Sequence, residues 1–155
     1  MTKRSKILYL LLSIVFFILF NGYLSELIIV SGNEFIDNPI FNIVYIQNQG
    51  AAFNIFEGHK LFLITFSLSA IIAMFIYFVK HIDKHSTFGL FFAALLISGI
   101  FNNMAERIYF GFVRDFIKLN FIDFPVFNIS DIFINIGVLG IIIIIIKNSY
   151  FKNIN

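Results

Sequence analysis

The sequence has no cysteine, which excludes a disulfide framework, a thiolate metal site and a cysteine nucleophile together. Charge is scarce too: 13% of the 155 residues are charged, against 59% hydrophobic, and the net charge is +2. No long basic run appears, so nucleic acid is not an expected partner. With a mean hydropathy of +0.92, a water-soluble domain could not clothe its surface. The composition therefore describes an integral membrane protein of one domain, its core formed between helices and against lipid. Met1–Lys6 is basic, but the apolar segment behind it is long and has no small-residue cleavage site, so no removable signal peptide is expected.

Charge-free windows measure the spans, since about 20 apolar residues cross the hydrocarbon core. Three such windows lie between Lys6 and Glu26, Lys60 and Lys80, and His85 and Glu106. The fourth, Asp131 to Lys147, holds about 15 residues and covers only about 22 Å. Extending it back to Asn128 makes it long enough and places Asp131 about one turn inside the boundary. The expected fold is an all-α membrane protein with spans at about 7–25, 61–79, 86–105 and 128–146. Lys3, Arg4, Lys6, Lys80, Lys84, Lys147 and Lys152 then share one side, which predicts cytoplasmic termini. The loop from Ser31 to Gly58 carries Glu34, Asp37 and Glu57 without Lys or Arg, as an external loop should.

That loop contains a turn signal at Asn38-Pro39 and a strand-like run, Phe41 to Ile46. The segment from Glu106 to Phe127 alternates at Ile117, Leu119 and Phe121, with a turn signal at Asp123-Phe124-Pro125. A small half-buried sheet or cradle is expected on the outer face. Gly137 and Gly140 offer a weak signal for close helix packing.

Polar residues concentrate in two pieces, Asn102 to Phe116 and Phe127 to Asp131. Beside a bilayer such a cluster is a functional-site hypothesis. Asp115 and Asp131 lie on one short connection between spans, so topology brings them to the same end of a helical hairpin. Two nearby carboxylates in a low-dielectric setting tend to share a proton, the arrangement of an aspartic protease. The competing structural reading pairs these acids with Arg107 and Arg114 as anchors of the helix ends. A carboxylate metal site lacks ligands, and no metal or cofactor is expected. His81 and His85 are four apart, yet in a Lys-bearing loop they read as solvated. His59 and Ser130 have no spacing that supports a serine nucleophile, and Glu26 reads as an interfacial acid.

Three ordered motifs resemble those of the bacterial lipoprotein signal peptidases (signal peptidase II), a family of four-span aspartic endopeptidases. They are Asn48-Gln49-Gly50-Ala51-Ala52-Phe53; Asn102-Asn103-Met104-Ala105-Glu106-Arg107 with Gly111, Val113, Asp115 and Phe116; and Phe124-Pro125-Val126-Phe127-Asn128-Ile129-Ser130-Asp131 with Ile134 and Gly137. The resemblance implies Asp115 and Asp131 as the catalytic pair. It implies Asn48, Gly50, Asn103, Arg107 and Asn128 as residues that orient the pair or hold substrate. The implied substrate is a prolipoprotein carrying diacylglycerol on its lipobox cysteine, cut just before that cysteine near the outer leaflet by a monomer among membrane lipids. The chain departs from the family at Asn21-Gly22-Tyr23-Leu24-Ser25, where members carry Asp-Gln-x-x-Lys, and at Asn102, Glu106 and Ser130, which replace Gly, Asp and Ala. The longer acid at 106 is expected to shift a contact with Arg107 or the backbone. The first-span changes leave a non-catalytic paralogue that binds lipidated peptides or lipids as the alternative. A channel or transporter subunit is a weaker one, since no polar residues line a mid-span path.

Overall fold

A segment that crosses lipid must satisfy its own backbone hydrogen bonds, and the charge-free windows do so as helices. The computed structural model describes residues 1–31, 39–51 and 55–152. Among the described residues, four helices are long and apolar enough to cross a membrane: α1 (Lys3–Ser31), α2 (Lys60–Lys80), α3 (Thr87–Tyr109) and α4 (Ile129–Lys152). The helices α1, α2 and α4 take in the charged residues at both ends of their windows, whereas α3 starts at Thr87 and runs past its window only at its far end, through Glu106 and Arg107. Of the loop features, Glu34, Asp37, Asn38, Ala52 and Phe53 lie outside the described residues.

The four helices are not equivalent. Half of the most apolar window of α3 is buried inside the protein, against 11% for α1 and α2 and 17% for α4. The sequence of α3 explains this: Ala93, Ala94, Ser98 and Gly99 are small and fully or almost fully buried, so neighbouring helices can approach its axis. The approach is closest to α4. A Cβ on Gly99 would stand 2.6 Å from the Ser130 carbonyl oxygen, and one on Gly137 would stand 2.8 Å from both the Leu96 nitrogen and the Phe92 carbonyl oxygen. At Gly140 the added carbon would collide with the face of the Phe92 ring. Phe17 of α1 completes the seam, edge-on to Phe91 and Phe133 with ring centroids 5.3 and 5.6 Å away. At the basic end, Lys6 Nζ donates to the carbonyls of Ile82, Asp83 and His85, tying α1 to the short turn between α2 and α3. His81 and His85 lie at this turn. They are half-buried rather than solvated, because both rings pack on Tyr77 and His85 also packs on Phe78.

At the other end, β1 (Phe41–Asn48) and β2 (Val113–Leu119) form an antiparallel pair, with Phe41 opposite Leu119 and Asn48 opposite Val113. The strand-like run therefore extends two residues past Ile46. The register contains one irregularity: three steps along β1 from Ile43 to Ile46 match two along β2 from Ile117 to Asp115. An extra residue of this kind bends a strand and strengthens its twist. Gly111 makes the turn from α3 into β2, with φ at +91°, a conformation glycine adopts at little cost. Phe121 lies outside β2, and the chain bends at 120–122 rather than at Asp123-Phe124-Pro125. Asn120 holds that bend by donating its backbone N–H to the Ile40 carbonyl and its side-chain amide to Asn42 Oδ1. The returning chain forms a bridge, Ile117 to Phe127, which delivers Asn128 to the start of α4.

Candidate active site

Three elements bring the polar residues together. The bridge between Ile117 and Phe127 sets the strand carrying Asp115 beside the first turn of α4, which carries Asp131, and α3 supplies Asn103 to Asp131 and places Arg107 one turn further on. Asn128 joins the parts. Its Oδ1 accepts from the Asp131 backbone N–H at 3.0 Å, while Asp131 Oδ2 accepts from the Asn128 backbone N–H at 3.1 Å. This reciprocal pair caps the N-terminus of α4 in the way of a capping box, so Asp131 is held by the same bonds that start its helix. The Nδ2 of Asn128 donates to Asp115 Oδ1 at 2.7 Å and to Asn103 Oδ1 at 3.2 Å. The remaining carboxylate oxygens are also engaged: Asn48 Nδ2 donates to Asp115 Oδ2 and Asn103 Nδ2 to Asp131 Oδ1, each at 2.9 Å. Asp115 is 3% exposed, too buried to exchange these partners freely for water.

The arginines do not pair with these acids. Among the described residues the ion pairs are Arg114 with Glu106 at 2.7 Å and Arg114 with Glu26 at 3.0 Å. Arg107 instead donates to two carbonyls, that of Asn103 at 3.0 Å and that of Gly50 at 2.6 Å. The reading in which Arg107 and Arg114 anchor helix ends by neutralising Asp115 and Asp131 is thus replaced by one in which asparagines surround the acids. The expected shift at Glu106 falls on Arg114 rather than on Arg107. Gly50 is fixed on both sides, because its own N–H donates to Asn48 Oδ1 at 2.9 Å. The five residues expected around the acids are therefore linked: Asn48, Asn103 and Asn128 touch a carboxylate, and Arg107 and Gly50 hold each other next to them.

Burial pushes the Asp115 carboxyl up to about 6 from an ordinary 3.8, with the nearby Asp131 charge adding to the rise and the bonds from Asn48 and Asn128 and the charge of Arg107 opposing it. A carboxyl raised on folding favours the protonated state, so its contribution to stability is fully present below the unfolded value. It is lost as pH rises from about 4 through about 6, at a cost on the order of 3 kcal/mol. Asp115→Asn cannot ionise and escapes that cost. The difference in Tm between variant and parent, measured by thermal unfolding in detergent, is expected to grow in the variant's favour from pH 4 to pH 7. A difference independent of pH would contradict the assignment.

Two features of the site were not visible as such in the sequence. Asn21, 1% exposed, donates to Ser130 Oγ at 3.1 Å and accepts from Ser25 Oγ at 3.2 Å. The neutral residues in the first-span stretch thus bond to one another and to the residue preceding Asp131. A pocket of 160 Å³ lies beside them, bordered by Ser25, Asn102, Glu106 and Arg114. Glu26, read as an interfacial acid, belongs to the Arg114 group. Ser130 has Asn21 as its partner, whereas the exposed His59 binds the Glu57 carbonyl, so the two do not form a nucleophile and base. Among the described residues no three His, Asp or Glu side chains gather as a metal-binding group.

Four apolar helices with two linked acids at one end, Asp115 buried and Asp131 half-buried, describe a multi-pass membrane protein, and the family it matches makes it a peptidase of the aspartic class. Residues 14–147 match the family described as signal peptidase (SPase) II, and the chain belongs to that family. Among its relatives, the lipoprotein signal peptidase of Streptococcus thermophilus is 38% identical over 108 residues, 70% of either chain. That of Lactobacillus johnsonii is 32% identical over 151 residues, 94% of this chain and 96% of the relative. A bacterial membrane enzyme solved by the in meso method at 2.3 Å resolution superposes with a TM-score of 0.78 at 32% identity, covering 92% of this chain and 90% of that one.

Proposed function

We propose that the protein removes signal peptides from lipid-modified lipoprotein precursors, with Asp115 and Asp131 as its acid–base pair. The observation that carries this reading is the sharing of Asn128 by both acids while the neighbouring arginines bind elsewhere. Acids kept for ion pairing would face the guanidinium groups. Acids kept for catalysis must be able to exchange a proton, and neutral amide donors hold them in place with a weaker pull towards the ionised form than a paired guanidinium would exert.

In the proposed reaction, the ionised carboxylate takes a proton from water as its oxygen attacks the scissile carbonyl. The protonated partner gives its proton to the carbonyl oxygen, forming a gem-diol. Return of a proton from the diol to the pair, with delivery of the other to the departing nitrogen, breaks the C–N bond and regenerates one proton on the dyad. Arg107 and Gly50, joined by the bond from Nη2 to the Gly50 carbonyl, are the residues proposed to hold the peptide. Asn48, Asn103 and Asn128 keep the carboxylates from turning away, which is where most of the gain from orientation arises.

The proposed orientation places both termini in the cytoplasm and the acids near the outer leaflet, in keeping with Lys6, Lys80, Lys84 and Lys147 at the opposite end. A substrate bearing diacylglycerol could then leave its acyl chains in lipid while its peptide reaches the acids. Each buried methylene contributes about 0.8 kcal/mol to that anchoring. One chain holds every residue of this site, so a monomer suffices. The non-catalytic alternative rested on the first-span substitutions, and these form a bonded set with Ser130 rather than leaving the site short of partners.

The test is a cleavage assay with the purified protein in bilayers, comparing a diacylglyceryl-modified precursor with the same precursor unmodified. Preference for the modified form by about 100-fold or more is expected, since the unmodified form lacks the two acyl chains that anchor the other. Equal cleavage of both would remove lipid recognition from the proposal. Cleavage of neither, with retained binding of the lipidated form, would return the chain to the non-catalytic alternative.

A further inference from the structure

The proposed reaction uses Asp115 and Asp131, but the densest ionic contacts among the described residues lie one residue before Asp115. Glu106 Oε2 accepts from the Arg114 backbone N–H at 2.7 Å, and Glu106 Oε1 accepts from Arg114 Nε at 2.9 Å and Nη2 at 2.7 Å. One carboxylate thus holds both the main chain and the side chain of the same residue. Arg114 Nη1 reaches on to Glu26 Oε2 at 3.0 Å, and its guanidinium lies 4.5 Å from the centre of the Phe110 ring. The Arg114 and Glu106 side chains are 14% and 18% exposed, whereas that of Glu26 is 60% exposed. Screening makes Glu26 the weaker partner, and the fork between Glu106 and Arg114 the stronger.

The placement has a mechanical meaning. Between the end of α3 and the start of β2 the chain turns at Gly111, with φ at +91°, and Phe110 before it lies under the Arg114 guanidinium. Glu106 spans that turn. It fixes the β2 backbone at 114 relative to α3, the helix that also supplies Asn103 to Asp131. We infer that Glu106 and Arg114 are positioning residues, setting the placement of Asp115 relative to Asp131 from α3, without touching substrate themselves. This rests on the acid-pair reading proposed above. It also gives a physical reason for the longer acid at 106, since one carboxylate has to meet both the amide and the guanidinium across the turn.

The test compares Glu106→Ala, Arg114→Ala and the double variant with the parent, scoring kcat per folded molecule and KM for the lipidated precursor. Misplacement of a reacting group costs rate rather than substrate affinity, so Glu106→Ala is expected to lower kcat by about 30- to 100-fold with KM changed less than about threefold. Arg114→Ala keeps its backbone N–H for Glu106 and is expected to lose only about 5- to 10-fold. The double variant should fall no lower than Glu106→Ala, because the two act as one unit. Three results would overturn the inference: a kcat per folded molecule in Glu106→Ala within twofold of the parent, losses that multiply in the double variant, or a loss carried by KM alone. A contribution only to stability would lower Tm and the folded fraction while leaving kcat per folded molecule intact. Should Glu106→Ala fail to fold, Arg114→Ala decides the matter by the same split between kcat and KM. Asp115→Asn and Asp131→Asn run in the same assay separate the two ideas: activity in these variants defeats the acid pair, whereas inactivity in them with full kcat in Glu106→Ala defeats only the positioning role.

Discussion

Asp131→Asn and Asp115→Asn are each expected to lower turnover of a lipidated precursor by at least about 1000-fold, within the range that general acid–base groups supply. The structure makes these substitutions informative because asparagine has nearly the shape of the residue it replaces. Each carboxylate is surrounded by amide donors, two on Asp115 and two on Asp131. An asparagine can accept one of the two and must turn its own amide towards the other, a local cost of about 1–3 kcal/mol that the fold can bear. Folding is verified by monodisperse elution in detergent and by Tm. Folded variants retaining activity within tenfold of the parent would eliminate the aspartic mechanism.

The second large effect is on assembly rather than chemistry. Gly137→Leu is expected to lower Tm by more than about 10 °C or to prevent recovery of folded protein, a cost above about 3 kcal/mol. The first added carbon would already meet the Leu96 nitrogen and the Phe92 carbonyl oxygen, both 2.8 Å away, and helical backbone cannot step aside as a side-chain tip can. Gly22→Leu is the matching control, since a Cβ there meets nothing within 4 Å. Thermal unfolding of both variants in the same detergent provides the comparison. Equal behaviour would mean that the seam between α3 and α4 is not what holds the bundle.

Much of this architecture was legible along the chain. Charge-free windows measure the thickness of lipid, and alternating residues at Ile117 and Leu119 signal a strand, because both are local consequences of geometry. Gly137 and Gly140 were visible as a faint pattern, whereas Gly99, their counterpart on α3, was not, since a lone glycine gains meaning only from the backbone opposite. The two aspartates were legible through the short connection that joins them. Charge pairing was not. Four cations and acids close in sequence suggested arginine with aspartate, yet Arg114 chose Glu106 across the Gly111 turn, and that choice depends on φ at one residue. The bond between Asn21 and Ser130 joins residues 109 positions apart and has no local signature.

Asn128 serves as helix cap, as donor to one acid and as link to Asn103 with a single amide. Evolution therefore cannot tune these duties separately at this position: a change that altered the chemistry would loosen the scaffold in the same stroke. Tolerance to drift must lie elsewhere, in the lipid-facing sides of α1 and α2, where many isoleucines and phenylalanines can interchange without consulting the acids.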